Sequence, residues 1–283
     1  IFISNSFISQ TGGHGDHRQR YERFGPHSEH PLMAPPAIAD GVDEVRRAAR
    51  EQLRTGADQV KVMAGGGASS PTDALDVAQY TVEELAAAVF EASAARKYVM
   101  AHVYVPAGIR NCVEAGIRSI EHGNFLDEET ASLMKMHDMF LVPTLSIFDL
   151  VASRGQEYGA PKSLLEKTNM AKSAGPQGVE IAMAAGVKIG SGSDVWGPYA
   201  EHRSLELELK TAIMGPMASI ISATRTNAEL LGIADDTGTL EVGKLADLIA
   251  VDGDPLADIK ILQDERKIPL VVQSGRIVKE PGK

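Results

Sequence analysis

The sequence predicts an α/β fold of the TIM-barrel (β/α)8 type, with short strands and helices alternating around a parallel sheet and a small β-sandwich appendage at the C-terminal end. Three observations carry that expectation. Strand-like runs rich in Val and Ile alternate with helical patterns between residues 58 and 194, the signature of βα units. Four of those runs bring an ionisable residue (Lys61, His102, His122 or Asp194) to the C-terminal end of a strand, the end at which such sheets place their chemistry. Beyond residue 238 the pattern changes to short β runs beside the turn signals Asp252-Gly253 and Ser274-Gly275.

The 283 residues are 43% hydrophobic, enough to bury a large core as one α/β barrel or two smaller domains. A formal net charge of -10 argues against nucleic acid or an anionic membrane as partner. The single cysteine, Cys112, leaves no intrachain disulfide framework and no need for an oxidising compartment, which favours the cytoplasm without assigning a location. No apolar run approaches the roughly 18–20 residues of a membrane span. The chain opens on Ile1 within an apolar run and reads as a processed or truncated product. A small molecule or dipeptide is the expected partner, and a homo-oligomer is left open.

In chain order, residues 1–9 look like a strand, followed by the glycine-rich loop Thr11-Gly12-Gly13-His14-Gly15-Asp16-His17. The segment to Pro36 is polar and irregular, and its His27 and His30 read as solvated. Val42, Val45, Ala49 and Leu53 lie at helical spacing over 40–54. In the strand 58–63, Val60 and Val62 face one side and Lys61 the other, with Gln59 and Met63. Gly65-Gly66-Gly67 follows without a phosphate-loop fingerprint and reads as clearance at the sheet's mouth. Thr81 and Glu84 form a capping-box pattern opening a helix to about 95.

Strands ending at His102 and His122 then flank a helix from Pro106 to Ala115, in which Cys112 is packing. A helix over 127–136 leads to the strand 140–142, stopped by Pro143. An insertion over about 145–175 precedes a helix at 177–185 and the strand 187–190, with Asp194 just beyond. Helices near 201–212, 216–223 and 226–231 follow, and Glu206 and Glu208 read as a solvated face. The tail has β runs at 239–242, 248–251, 269–273 and 276–278. The expected domains are a barrel over 1–234 and a β appendage over 235–283.

An ammonium on the inner face of a barrel is costly unless something neutralises it. His102 and His122, one short βα unit apart, can project into one mouth, and imidazole with carboxylate at separate strand ends suits Zn²⁺ or a similar divalent ion. Alone, each has an ordinary alternative: a snorkelling lysine, satisfied core histidines, a helix-capping Asp194. Tyr104, two residues after His102, points the same way along an extended chain; it could meet a substrate carboxylate or developing oxyanion, or simply pack at the rim.

Lys61, Ala101-His102, Glu121-His122-Gly123, Gly192-Ser193-Asp194, Thr226-Asn227-Ala228-Glu229-Leu230-Leu231-Gly232 and the run from Gly238 to Leu248 together resemble the metal-dependent amidohydrolase superfamily, in its prolidase-like and carboxypeptidase-like branch near imidazolonepropionase. The resemblance implies one or two divalent ions, zinc first, and a CO₂-derived carboxylate on Lys61 that bridges them. It implies His102 and His122 as ligands of the second ion, and Asp194 as ligand of the first and proton shuttle. It sets the loop of His14 over the mouth, which makes His14 a substrate contact. The implied reaction is hydrolysis of an amide C–N bond in a dipeptide or N-acyl amino acid, with a cyclic, imidazolone-type amide as alternative. The family's His-x-His of barrel strand 1 is absent from the sequence. Ile1 falls near barrel strand 3, so the barrel is expected to be incomplete at its N-terminus, and a catalytically inactive metal-binding fragment is the competing reading.

Overall fold

A computed structural model describes residues 1–18, 21, 35–70 and 72–280. His27 and His30 lie outside the described residues. The chain forms two compact units, residues 1–142 with 148–188, and residues 143–147 with 189–283. The second groups helices after residue 204 with the small C-terminal sheet.

The first unit is built on parallel strands β1 (Ile8–Ser9), β2 (Ala37–Ile38), β3 (Val60–Met63), β4 (Val99–Val103), β5 (Ser119–His122) and β6 (Phe140–Val142). With β7 (Lys188–Ile189) the sheet order is β2-β1-β3-β4-β5-β6-β7. Val60, Val62, Ala101, Ile120 and Leu141 are buried completely, as expected for strands covered on both faces. Lys61 pairs with Met100, and Met63 with His102.

The first strand is shorter than the apolar run suggests. Ile3 donates its N–H to the Asp58 carboxylate, and Ile1, Phe2 and Ile3 are exposed. Directly after the polar segment comes β2, which at two residues is too short to show a period.

Helices α1 (Gly41–Arg54) and α2 (Val82–Ala94) are joined by Arg50, whose guanidinium donates twice to Glu91 at 2.9 Å. Thr81 and Glu84 make the reciprocal capping box of α2. Helix α3 (Pro106–Ala115) buries Cys112, whose thiol pKa burial pushes up. Helix α4 (Glu128–Met136) precedes β6, and α5 (Leu145–Arg154) follows it.

The expected insertion is largely helical. Helix α6 (Lys162–Ala185) runs continuously through Pro176, a residue type that kinks or breaks most helices. A Cβ on Gly178 would stand only 3.0 Å from the Gly123 carbonyl oxygen and 3.1 Å from that of Asn124, so the helix lies tight against the turn after β5.

The second unit contains α7 (Leu205–Met214), α8 (Pro216–Ile221), α9 (Asn227–Leu231) and an antiparallel sheet of β8 (Leu248–Ala250), β9 (Leu270–Gln273) and β10 (Arg276–Lys279). Residues 239–242 are not a strand. Lys244 turns back onto Thr239 Oγ1 at 2.7 Å and onto the Glu241 carbonyl, leaving Leu240 and Val242 exposed. Glu206 is also not on a solvated face. It is buried, and its carboxylate accepts from the Ser146 N–H and hydroxyl at 2.8 Å. Beside it Lys210 is fully buried, donating to the Gly190 carbonyl at 3.1 Å and to Ser222.

Candidate active site

The C-terminal ends of β4 and β5 gather a buried ring cluster. His102 lies at the centre. The His14 ring stacks on it at 4.2 Å and 14° between planes. The His122 ring meets it edge-on at 4.5 Å. Tyr104 stands 4.9 Å from His102 and 5.1 Å from His122. Phe148 closes the cluster at 5.8 Å from Tyr104 and 5.6 Å from His122. His102, Tyr104 and His122 are buried, His14 is half-buried, and Lys61 is half-buried on the neighbouring strand.

Alternation carried one residue past the end of β4 places Tyr104 beside His102. His122 arrives differently. Its backbone is left-handed, with φ of 79°, and Gly123 continues that turn at 61°. Asp194 has φ of 53° just beyond β7, so two proposed ligands are non-glycine residues in a conformation concentrated at functional sites.

Burial holds the imidazoles neutral. It pushes His102 and His122 well below the ordinary range, and the nearby Lys61 charge adds to this at both. It lowers His14 to about 4, against the opposing pull of Asp73. Glu121 is buried too; burial raises its carboxyl, while Lys61 and a 2.7 Å hydrogen bond from Ser119 hold it back. Neutral imidazoles keep a lone pair for a cation.

The donor chemistry fits a divalent ion. Gly66 presents a carbonyl 3.0 Å from His102 Nε2. A carbonyl can only accept, so Nε2 carries the proton and Nδ1 offers the lone pair, the arrangement usual for a metal-binding histidine. Among the described residues, no group of three His, Cys, Asp or Glu side chains stands in ready ligand geometry. A lysine, which becomes a ligand once carboxylated, lies outside that set.

Asp194 belongs to the second unit and is exposed. The chain leading to it is braced by Asn227, which accepts from the Ser191 N–H at 2.9 Å and donates to the Ser191 carbonyl at 2.8 Å. That unit also has a cavity of about 890 Å³ lined by side chains such as Leu231, Leu240, Leu248 and Val271. Its acidic lining residue is Asp247 alone, and no imidazole lines it, so the chemistry points to the ring cluster instead.

Several residues around the cluster escape sequence reasoning. Ser70, Asp73, Gln79 and Lys167 form a network around His14, although Lys167 is 94 residues from Asp73. Phe148 lies in the stretch read as an insertion.

Comparison with known proteins adds four findings. The amidohydrolase family profile matches residues 6–278. The chain is 37% identical over 298 residues to an ochratoxinase of Aspergillus niger, covering 100% of this chain and 60% of that protein. Among solved structures, a prolidase complexed with N-methylphosphonate-L-proline superposes with a TM-score of 0.94 at 40% identity, over 99% of this chain and 69% of that one. A Xaa-Pro dipeptidase with bound methionine superposes with a TM-score of 0.84 at 30% identity, over 99% and 68%. The chain thus spans about 60% of the length of the curated relative.

Proposed function

Starting from the fact that this chain belongs to the amidohydrolase family, we propose that it is the catalytic part of a metal-dependent hydrolase that cleaves the amide C–N bond of a dipeptide or N-acyl amino acid bearing a free carboxylate. The observation that carries this reading is the cluster of half-buried His14 with buried His102 and His122, all neutral, beside Lys61. The activities of the similar prolidase and Xaa-Pro dipeptidase support the substrate class.

Lys61, His102, His122 and Asp194 are the residues that would hold one or two divalent ions, zinc first. When bound, such an ion polarises a carbonyl and acidifies water. Lys61 enters as a carbamate: the ammonium first gives up one proton, and neutral Nζ then adds to CO₂ and releases a second, so a cation becomes an anion. Asp194 takes the proton of the attacking water and delivers it to the leaving nitrogen. Tyr104 donates its phenol to the oxyanion or to the substrate carboxylate. His14 contacts substrate beside His102, and Phe148 with the buried rings excludes bulk water.

The test is a screen of Xaa-Pro and other dipeptides, N-acyl amino acids and cyclic amides with the zinc-loaded full-length protein. Turnover of the linear carboxylates, lost on chelation, is the expected result. Turnover of cyclic amides alone would move the assignment to a cyclic-amide hydrolase. Metal binding without any turnover would leave a non-catalytic metal-binding protein.

A further inference from the structure

The loop between β3 and α2 is held by one partly buried charge pair. The Asp73 carboxylate accepts from Gly67 N–H at 3.0 Å, from Gln79 Nε2 at 3.1 Å and from the Ser70 hydroxyl. Lys167, on α6, reaches it at 3.6 Å. The same ammonium donates to the carbonyls of Gly67, Ser70 and Asp73 at 3.1, 3.0 and 2.7 Å. Three carbonyls and a carboxylate around one lysine make a cation-centred knot, and its outputs reach the ring cluster. Gln79 Oε1 accepts from the His14 backbone N–H at 3.0 Å, and Ser70 Oγ lies 3.0 Å from His14 Nδ1. Gly66, next to the knotted Gly67, faces His102 Nε2.

The proton count is fixed by which groups can only accept. Asp73 as a carboxylate and the Gly67 carbonyl, 3.3 Å from Ser70 Oγ, have no proton to give, so the single Ser70 proton is spent on these acceptors. Ser70 must then accept from His14, and His14 carries its proton on Nδ1. Gly66 places the His102 proton on Nε2. We propose that Asp73 and Lys167 are positioning residues that impose opposite tautomers on the two stacked imidazoles, Nδ1–H on His14 and Nε2–H on His102. His14 then meets substrate through the Nε2 lone pair, so the substrate group it contacts carries an N–H or O–H rather than a carboxylate.

This rests on the active-site reading only in treating these imidazoles as working groups; the tautomers themselves are read without metal or turnover. The experiment is long-range ¹H–¹⁵N NMR of the metal-free full-length protein labelled with ¹⁵N-histidine, with resonances assigned through His14→Gln and His102→Gln. The expected spectrum shows His14 protonated at Nδ1 and His102 at Nε2. In Asp73→Asn, whose amide can donate to Ser70, and in Ser70→Ala, which removes the relay, the His14 Nδ1 signal moves toward the unprotonated position. In Lys167→Met the His102 pattern broadens or mixes, and Lys167→Arg restores it. A native spectrum with His14 protonated at Nε2 would overturn the proposal. So would Ser70→Ala with native near-UV circular dichroism and an unchanged His14 tautomer. If Asp73→Asn fails to fold, Ser70→Ala decides the His14 arm alone.

Discussion

The His122 imidazole stands 4.5 Å from that of His102 because the His122 backbone abandons the β conformation at the last residue of its strand. In register, His102 lies opposite Glu121, and His122 lies opposite Val103. Unbroken alternation would send His122 to the Val103 side, away from His102. The left-handed turn at φ 79° re-aims the ring. Such a conformation costs about 1–3 kcal/mol in a non-glycine residue, so the surrounding packing must enforce it.

Asp194→Asn should lower kcat by about 10²–10⁴-fold while the protein still takes up metal, since an amide cannot move the proton. Steady-state kinetics with metal content measured on the same sample decides it; turnover at the wild-type rate would remove the proton-transfer role.

Lys61→Ala should leave the protein folded but short of metal. Formate or acetate, able to occupy the vacated carboxylate position, should restore part of both metal content and rate. Full activity without added acid would exclude the carbamate.

Gly67→Ala should cut kcat/KM by about a hundredfold through displacement of a working group by an ångström or more. The new Cβ would fall 1.8 Å from His14 Nδ1, so the ring must leave its stack on His102. Thermal unfolding alongside the kinetics separates a local shift from a general loss of fold.

Asp16 supplies a pH prediction for stability. Burial alone would raise its carboxyl, but hydrogen bonds from Arg18 and the Gly12 N–H bring it down to about 2 from an ordinary 3.8. A folded-state pKa below the unfolded one stabilises above the unfolded value, and the benefit is lost as pH falls from about 4 towards 2. Asp16→Asn should therefore flatten the acid limb of a denaturation series in that window. An identical limb in both proteins would dismiss the contribution.

Lys210→Met should destabilise the second unit by about 3–5 kcal/mol, because Glu206 would keep a buried charge or a costly proton without its partner. Burial lowers Lys210 to about 8, with Glu206 pulling the other way. Chemical denaturation of this variant, and of Lys210→Met with Glu206→Gln, tests it; a double variant no more stable than the single would argue against the coupling.

The sequence made the βα alternation legible because β3, β4 and β5 carry buried Val, Ile and Ala at period two. It made the α2 cap legible because both partners sit within one turn. It hid β2 because two residues show no period, and it hid α6 because Pro176 and the glycines around it mimic a break. The loop 239–242 looked like a strand because alternation is a statement about faces, not about whether a neighbour exists to pair with. His102 and Tyr104 could be placed together by counting along β4, whereas the Lys167 knot could not, since contacts 94 to 100 residues away leave no local trace.

Gly178 has a consequence for anyone redesigning this protein. It abuts the carbonyls of Gly123 and Asn124, and Asn124 Nδ2 reaches back to the Ala171 carbonyl at 2.8 Å. The same helix carries Lys167 at its other end. One rod therefore touches both the strand-to-helix turn that aims His122 and the knot that steadies His14. Substitutions along its inner edge offer a way to retune two imidazoles together without altering any group in reach of a substrate.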